Sequence, residues 1–376
     1  MKNLIFINDA FFGGGAEKSM RILIDNMQKK RNFKYQLIIL ESQNQKKIID
    51  WCKKRNINVL LIGNTKNIIF FKVIQLIFIP FFMAWKLRQC KGISILSFQN
   101  RSNYISIIFK IFFSIDKLII SERNFSSIFF AKGIKGFFHR KLIENLYPFS
   151  DKIITNSEES KFDLIDNFNI DKKKLIHINN GYDFYEIIAK ADQQIDKDFK
   201  RLVQHNSREY IFVTVARLEY QKGYKRLIDA ISIYKNLSGK DFIWLIIGDG
   251  SQRNELENYC KAKSLESNIC FLGFKDNPLP FTKSANLFLF GSYFEGFPNS
   301  LAEAVILNTP IITFNFKSGL YEVTKGYPNL SIINSNSSYD FAIEIKNRLK
   351  QNKKSFIPTY SLNNLIKDYN NILFND

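Results

Sequence analysis

The sequence has few residues of the kinds that bind metals or form disulfides. Its 376 residues include 4 cysteines and 3 histidines, and no two cysteines stand in a C-x-x-C pattern. A disulfide framework and a zinc cluster are therefore not expected. The N-terminus lacks a charged-then-apolar leader, because residues 1–10 have the pattern of a buried first strand. These absences predict a chain that resides in a reducing cytoplasm.

Acidic residues are scarce in the first part of the chain. Residues 1–150 carry 25 Lys and Arg against 8 Asp and Glu, a net of +17, whereas residues 151–376 carry 29 against 27, a net of +2. No acidic residue lies between Asp50 and Asp116. A basic half beside a nearly neutral half predicts an acidic partner, either a phospholipid surface or a nucleic acid. Because no helix-turn-helix or RNP motif is present, a nucleic acid is not expected.

Two basic, phenylalanine-rich segments favour an anionic membrane surface as that partner. Residues 68–85 are almost wholly apolar, but Lys72, Gln75 and Pro80 interrupt the run. Since spanning a bilayer takes about 20 apolar residues, an interfacial or core helix is favoured over a transmembrane span. Residues 125–142 interleave phenylalanines with cations, which suits anionic headgroups. The alternative for this second segment is a solvated loop with buried aromatics.

Short apolar strand candidates alternate with longer segments throughout the chain. This alternation indicates parallel sheets covered on both faces by helices, and the length accommodates two domains. A polar segment at 189–209 is expected to lead into the second domain. The strand candidates are 4–7, 36–40, 59–62, 94–98, 118–120, 152–155, 175–178, 211–215, 242–247, 269–271, 287–290 and 310–313.

The stretch from Ser292 to Pro310 brings two carboxylates to the start of a predicted helix. Glu295 and Glu303 stand eight residues apart, with a turn and N-cap predicted at 298–300 and a helix at 301–307. Backbone N–H groups at a helix start bind anions, so the stretch suits a ligand with hydroxyls and a phosphate, such as a nucleotide sugar. The alternative is a capping box formed by Ser300 and Glu303, which needs no ligand.

An ordered set of motifs resembles the family 4 glycosyltransferases, which are retaining enzymes with the GT-B architecture. The donor signature is A-N-L-F-L-F-G-S-Y-F-E-G-F-P-N-S-L-A-E-A followed by T-P-I-I. The order of the motifs is that of the family, and together they span most of the chain. The other motifs are a glycine loop at 11–19, S-E-R-N at 121–124, I-N-N-G-Y-D at 178–183, the phosphate segment at 215–230, a strand, glycine turn and helix at 245–257, and the base-contacting loop at 271–274.

The resemblance implies an α/β fold of two Rossmann-like domains whose parallel sheets face a central cleft. An acceptor and membrane-facing domain would occupy residues 1–183, and a nucleotide-sugar domain residues 184–358. A C-terminal helix within 359–376 would pack back on the first domain.

The resemblance also assigns roles to individual residues. Arg217 and Lys222 would balance the charge of the departing diphosphate, and Glu295 would bind hydroxyls of the transferred sugar. Further donor-binding candidates are Gly14, Gly15, Gly248, Phe274, Asn299, Ser300, Leu301 and Glu303, the last on the ribose hydroxyls. Acceptor-side candidates, at the end of a predicted strand, are Glu122, Arg123 and Asn124. No cofactor is expected, because the nucleotide sugar is a substrate. No metal is expected either, because no D-x-D motif is placed to hold one and the family does not need it.

The implied activity is retaining transfer of a sugar from a UDP-hexose or UDP-N-acetylhexosamine to a polyprenyl-diphosphate-linked glycan. The protein is expected to be peripheral on the inner face of the cell membrane. A nucleotide-sugar epimerase of the same fold and a non-catalytic membrane scaffold remain alternatives. So does a dinucleotide-binding fold in which Glu41 binds a ribose, although the glycines at 13–15 depart from G-x-G-x-x-G. After Pro310 the sequence N-F-K-S-G-L-Y-E replaces the more usual glycine-rich turn of the family.

Overall fold

The computed structural model describes two units of the chain. It covers residues 2–12, 14–27, 33–41, 45–62, 69–194, 209–358 and 361–374, with the backbone alone at 69–73. Unit 1 comprises Met1–Gly181 and Leu362–Asp376, and unit 2 comprises Tyr182–Ser361. The sequence-based boundaries, after residue 183 and before residue 359, lie within three residues of these.

Unit 1 contains a seven-stranded parallel sheet. The strand order is β3-β2-β1-β4-β5-β6-β7, so β1 pairs with both β2 and β4. Between β1 and β4 the order in which the chain adds strands to the sheet reverses, while all strands stay parallel. The strands are β1 (Lys2–Asn8), β2 (Phe33–Ile39), β3 (Asn58–Leu61), β4 (Ile93–Phe98), β5 (Lys117–Glu122), β6 (Lys152–Thr155) and β7 (Leu175–His177). The helices are α1 (Gly15–Met27), α2 (Gln45–Lys53), α3 (Ile69–Leu87), α4 (Asn100–Phe112), α5 (Ser126–Phe129), α6 (Gly133–Leu146) and α7 (Glu158–Phe168).

Helices cover both faces of this sheet, as the continuous apolar strands predict. Ile5 and Ile7 point to one face, where they join a core formed with α3, α4, α6 and α7. Leu4 and Phe6 point to the opposite face and pack with α1 and α2. The outward sides of α3, α4 and α6 therefore belong to the same side of unit 1.

The C-terminal helix packs on unit 1, as expected from the family resemblance. This helix comes last in the chain, at Leu362–Phe374, and contributes Leu365, Tyr369 and Leu373 to the core on the α1 face. The ring of Phe374 lies 4.6 Å from that of Phe33 on β2. The helix thus returns to the first unit after the chain has completed the second.

Unit 2 repeats the architecture with six parallel strands in the order β10-β9-β8-β11-β12-β13. The strands are β8 (Tyr210–Val215), β9 (Phe242–Ile247), β10 (Ile269–Gly273), β11 (Leu287–Phe290), β12 (Ile311–Phe314) and β13 (Leu330–Ile333). The helices are α8 (Phe184–Ala191), α9 (Tyr224–Ser238), α10 (Arg253–Ala262), α11 (Leu279–Ser284), α12 (Asn299–Ile306), α13 (Leu320–Thr324) and α14 (Ser338–Arg348), so the C-terminal helix is α15. The reversal of strand order between β8 and β11 creates the crevice where open α/β sheets bind ligands.

All twelve predicted strands are present, and among the described residues there is one further strand that was not predicted. β13 is an edge strand of four partly buried residues, and Ser331 interrupts its short apolar run. The predicted polar entry into unit 2 is partly wrong, because α8 already occupies Phe184–Ala191. The remainder of that segment, 195–208, lies outside the described residues.

The apolar segment near residue 70 forms α3, with Pro80 inside the helix. Within the part of the chain that the structure describes, no helix has the length and apolar character needed to cross a membrane. The inner side of α3 is buried through Ile79 and Met83. This helix is therefore partly a core helix.

Candidate active site

An ion pair between Lys222 and Glu295 forms the centre of the candidate site. The Lys222 ammonium lies 2.6 Å and 2.8 Å from the two carboxylate oxygens of Glu295. The two side chains are only 14% and 7% exposed, so the pair is largely shielded from water. The sequence assigned separate tasks to these residues; the structure brings them into direct contact from positions 73 apart.

Other donors fix the orientation of the Glu295 carboxylate. The Ser292 hydroxyl donates to Oε1 at 2.5 Å, and the Gln221 amide donates to Oε2 at 3.4 Å. The backbone N–H of Glu295 donates to the carbonyl of Lys317 at 3.1 Å. Sequence reasoning did not single out Ser292 or Gln221, although each lies inside a recognised motif. Together with Lys222, these donors hold the Glu295 carboxylate in one orientation.

Arg217 lies in the loop that follows β8, with its side chain exposed. The glycine turn after β9 packs directly on this loop. Gly248 has φ +141°, and a Cβ there would lie 2.0 Å from the carbonyl oxygen of Ala216. Because only glycine allows this approach, Gly248 supports the loop that carries Arg217 at the carboxyl edge of the sheet.

Phe274 follows β10 at the same edge of the sheet and is 64% exposed. The carbonyl of the preceding Gly273 accepts a hydrogen bond of 2.9 Å from the N–H of Gly248. The strand ends that carry Arg217, Gly248 and Phe274 are therefore neighbours, which is the geometry expected for β8, β9 and β10 in a parallel sheet.

Helix α12 begins at Asn299, two residues earlier than predicted, and this corrects the capping-box alternative. Pro298 occupies the N-cap position, where no side chain caps the helix. Ser300 lies inside the first turn, so it cannot act as the N-cap of a box with Glu303. The amides of Ser300 and Leu301 lie among the first N–H groups of the helix, which have no intrahelical acceptor.

The loop before α12 is supported by residues of the N-F-K-S-G-L-Y-E segment, which replaces the family's usual glycine-rich turn. The Ser318 hydroxyl donates to the carbonyl of Gly296 at 2.8 Å. Gly319 has φ +79°, and a Cβ there would lie 2.7 Å from Cδ of Pro298. The replacement for the family's glycine-rich turn therefore keeps a glycine where close packing against Pro298 requires one.

The first glycine loop lies at the start of α1 in unit 1. Gly15 is the first helical residue, and a Cβ on Gly14 would lie 2.3 Å from a carboxylate oxygen of the buried Glu17. Gly13 lies outside the described residues. Glu41, which the dinucleotide-binding alternative requires, pairs with Arg101 at 2.9 Å. A donor-binding role for Gly14 and Gly15 stays a prediction.

Glu122, at the end of β5, is also engaged by other groups of the protein. It is buried and accepts hydrogen bonds from Tyr147 at 2.6 Å, from Asn100 at 2.7 Å, and from the backbone N–H groups of Arg123 and Asn124. Burial raises the pKa of this carboxyl, while the four donors oppose the shift.

Arg123 is buried as well. It donates to Asn180 at 2.7 Å and to Tyr369 of α15 at 3.0 Å. Glu122 and Arg123 thus tie unit 1 together, whereas Asn124 is half-buried. The acceptor-side role of the three residues stays a prediction, and Asn124 is the best placed of them to meet a ligand.

Within the described residues, no group of three or more His, Cys, Asp or Glu side chains is arranged to hold a metal ion. The positive charge of the site comes from Arg217 and Lys222, together with the start of α12. The arrangement collects two cations, a carboxylate and helix amides at one sheet edge, which suits an anionic ligand that also carries hydroxyls.

Comparisons with known proteins agree with this chemistry. The family model described as "Glycosyl transferases group 1" matches residues 195–357. An N-acetylgalactosamine-N,N'-diacetylbacillosaminyl-diphospho-undecaprenol 4-alpha-N-acetylgalactosaminyltransferase of Campylobacter jejuni is 29% identical over 67% of this chain and 66% of its own length. A UDP-Gal:alpha-D-GlcNAc-diphosphoundecaprenol alpha-1,3-galactosyltransferase of Escherichia coli is 30% identical over 44% of this chain and 42% of its own length. The chain thus spans less than two thirds of the length of either relative.

A solved structure extends the likeness of fold to the whole chain. HepE of Anabaena, in complex with UDP and glucose, superposes with a TM-score of 0.76 over 100% of this chain and 96% of its own, at 16% sequence identity. At that identity the likeness concerns the fold alone. The chain therefore has the GT-B fold, and its residues 195–357 are similar to the group 1 glycosyl transferases.

Proposed function

We propose that the protein is a retaining glycosyltransferase that moves a sugar from a nucleotide diphosphate sugar to a lipid-linked glycan. The observation that carries the proposal is the shielded Lys222–Glu295 pair, which lies at the carboxyl edge of the second sheet. A cation for a diphosphate and a carboxylate for sugar hydroxyls occur there in one preformed unit.

The diphosphate would be bound by positive charge from three sources. Lys222 contributes a point charge, Arg217 a planar fork that matches phosphate oxygens, and α12 the backbone amides of Ser300 and Leu301. This charge opposes the negative charge that develops on the leaving group, which is where preorganised donors accelerate a reaction most. The proposal needs no metal, because these groups supply the compensation.

The sugar would be oriented by Glu295, and the ribose hydroxyls by Glu303. In the transfer step the bond between the anomeric carbon and the diphosphate oxygen breaks. The acceptor hydroxyl oxygen forms the new bond on the same face of the sugar, and its proton passes to the departing phosphate. The products are the extended glycan, with the anomeric configuration retained, and a nucleoside diphosphate.

The acceptor class and the base are proposed from the relatives. Two of them are named for undecaprenyl-diphosphate-linked acceptors, one of these is named for UDP-Gal, and HepE binds UDP. A UDP-hexose or UDP-N-acetylhexosamine and a polyprenyl-diphosphate glycan are the matching substrates here. Such an acceptor would hold the enzyme at the inner face of the cell membrane.

Unit 1 offers a surface for that membrane, which we call the aromatic face. Phe81 of α3 lies 6.0 Å, between ring centroids, from Phe112 of α4, so the two helices share one apolar surface. Lys86 and Arg88 lie over the ring of Trp85, at 4.7 and 5.4 Å from its centroid. The exposed apolar side chains of this face are Ile77, Phe78, Phe81, Phe82, Trp85, Ile111 and Phe112.

A second group of exposed apolar side chains lies on α5 and α6. Phe137 and Phe138 are adjacent on α6 and lie between Lys135 and Arg140 in the sequence. Because α3, α4 and α6 cover the same side of the unit 1 sheet, both groups are presented in one direction. Bulky apolar side chains among cations are suited to the boundary between anionic headgroups and acyl chains. The remaining members of this group are Ile128, Phe129 and Ile134.

A thermal-shift panel of nucleoside diphosphates and nucleotide sugars tests the donor assignment on the purified protein. Ligands that bind the native state raise the midpoint in proportion to RT ln(1 + [L]/Kd). We expect a selective shift with UDP and a larger one with one UDP-sugar. A shift with no nucleotide would contradict the proposal and favour the scaffold alternative. Conversion of a UDP-sugar to its epimer without an acceptor would favour the epimerase.

Vesicle binding tests the membrane assignment separately. The double variant Phe78→Ser/Phe81→Ser should lose sedimentation with vesicles that contain phosphatidylglycerol. The matched control is Tyr185→Ser/Tyr339→Ser, which removes two exposed aromatic side chains from unit 2. Equal binding by both variants would refute the role of the aromatic face. Raising the salt should weaken binding of the wild type, since screening reduces the attraction of its cations to the headgroups.

A further inference from the structure

Arg226 is a buried cation beside the candidate site, and it has no role in the proposed transfer step. It lies in the first turn of α9 and is 8% exposed. No carboxylate among the described residues pairs with it. Burial lowers its pKa to about 10, which leaves the guanidinium protonated at neutral pH. Burying a charge without an opposite charge beside it costs free energy, and the hydrogen bonds of Arg226 must offset that cost.

The guanidinium bonds to the loop between β11 and α12. Its Nε donates to the carbonyl of Gly291 at 2.9 Å, and Nη2 donates to the carbonyl of Ser292. Its Nη1 donates to the side-chain oxygen of Asn336 at 3.1 Å. One planar side chain thereby fixes two consecutive carbonyls just before Glu295, which a lysine could not do with the same geometry.

Aromatic rings enclose both faces of the guanidinium. Its central carbon lies 4.1 Å from the ring centroid of Tyr293 and 4.0 Å from that of Phe314. Tyr220 stacks on Tyr293 with centroids 5.2 Å apart. The stack extends from the buried strand β12 to an exposed tyrosine, and it immobilises the loop residue that lies between Ser292 and Phe294.

The backbone of the same region is packed too closely to tolerate a side chain. A Cβ on Gly223, which has φ +62°, would lie 1.9 Å from the carbonyl oxygen of Gly291 and 2.9 Å from Nε of Arg226. The start of α9 and the loop after β11 therefore meet backbone to backbone. Arg226 closes this contact from the side.

We propose that Arg226 is a positioning residue that orients Glu295 toward the transferred sugar. The path runs from the guanidinium to the carbonyl of Ser292, and from the hydroxyl of Ser292 to Oε1 of Glu295. Arg226 itself touches no ligand in this scheme. The inference rests on the proposed function, because it concerns the carboxylate assigned to the sugar hydroxyls.

The test compares the affinity for UDP with the affinity for the UDP-sugar that the wild type prefers among UDP-glucose, UDP-galactose, UDP-GlcNAc and UDP-GalNAc. In Arg226→Lys and Arg226→Met, UDP should still bind with nearly wild-type affinity, because the phosphate-binding groups remain. The extra affinity due to the sugar should disappear, and kcat/KM should fall about 100-fold, as expected when a reacting group is misplaced by about 1 Å.

Arg348→Met is the matched control. Arg348 is also 8% exposed and lies in unit 2, but its bonds go to Asn329 and Gln351. This variant should lose stability and keep the sugar-dependent affinity of the wild type. A purely structural role for Arg226 would make the two variants alike, which would overturn the inference.

Ser292→Ala keeps the proposal testable if the Arg226 variants do not fold. It removes the last hydrogen bond of the path and should lower the sugar-dependent affinity as well. Combined with Arg226→Lys, its effect should be less than additive, since both changes break the same path. An additive pair, or a wild-type sugar preference in Ser292→Ala, would overturn the inference alone. A wild-type protein that gains no affinity from any sugar would overturn the proposed function and this inference together.

Discussion

Replacing Glu295 by glutamine tests the central ion pair on both activity and stability. Glutamine keeps the shape of the side chain and can still accept from Ser292, but it removes the negative charge that faces Lys222. A hydrogen bond to a charged group contributes about 1.5–3 kcal/mol, so losing one sugar hydroxyl contact of this kind should lower kcat/KM about 10- to 150-fold. The affinity for UDP should change much less, because the charge on the sugar side is lost while the phosphate side is intact.

The effect on stability follows from the burial of the pair. Removing one partner of a buried ion pair costs about 3–5 kcal/mol when the remaining charge is stranded. Because the Lys222 side chain retains 14% exposure, water can reach it in part, and glutamine leaves it one oxygen acceptor. We therefore expect a loss of about 1–3 kcal/mol, or a Tm lower by about 2–12 °C.

Calorimetry and UDP-release kinetics on purified Glu295→Gln measure the two effects. The control is Glu186→Gln, which breaks an exposed pair with Lys190 on α8 and should cost about 0–1 kcal/mol without affecting kinetics. A Glu295→Gln protein with wild-type kcat/KM would refute the catalytic assignment. An unchanged Tm would refute the expectation that the Lys222–Glu295 ion pair stabilises the fold.

Three further changes test other parts of the structure. Gly248→Ala should lower both stability and nucleotide affinity, because its Cβ would collide with the carbonyl of Ala216. Thermal unfolding and UDP titration measure the two effects, and an unchanged result in both would show that the turn is not constrained. Tyr369→Phe removes the hydroxyl that accepts from Arg123 and should cost about 1–3 kcal/mol by urea denaturation, whereas an unchanged midpoint would mean that the α15 contact is apolar only. Burial lowers the pKa of His139, so this histidine is protonated at a higher pH in the unfolded chain than in the folded one. Stability should therefore fall as the pH drops below about 6.5. In His139→Phe this part of the pH dependence of stability should disappear, and an unaltered profile would contradict the assignment.

The sequence allowed the sheets to be predicted well because most of their strands contain a continuous apolar run, as strands buried on both faces do. The edge strand β3 is only partly buried, yet its apolar run was recognised as well. β13 escaped recognition because its run of only four residues is short and includes Ser331. The start of α12 was misjudged because Pro298 occupies the N-cap without a capping side chain, so the S-x-x-E pattern pointed two residues too late.

The positions of the site residues could be anticipated, but their contacts could not. Strand ends in a parallel sheet meet at one edge, which brings Arg217 and Glu295 to the same edge of the second sheet. The bond between Lys222 and Glu295 joins residues 73 apart and depends on side-chain geometry that spacing does not reveal. Arg226 gave no signal, because an arginine in an amphipathic helix ordinarily belongs to the solvated face.

Acceptor-dependent sugar transfer is the decisive assay for the proposed function. Purified protein would be incubated with each radiolabelled UDP-sugar and with polyprenyl-diphosphate glycans extracted from bacterial membranes, and label in the lipid phase would be counted. We expect that one UDP-sugar labels the lipid, that UDP is released in equal amount, and that Glu295→Gln reduces both. Failure of every UDP-sugar to label any lipid-linked glycan, with the donor bound and intact, would contradict the claim that this fold carries a working transferase site.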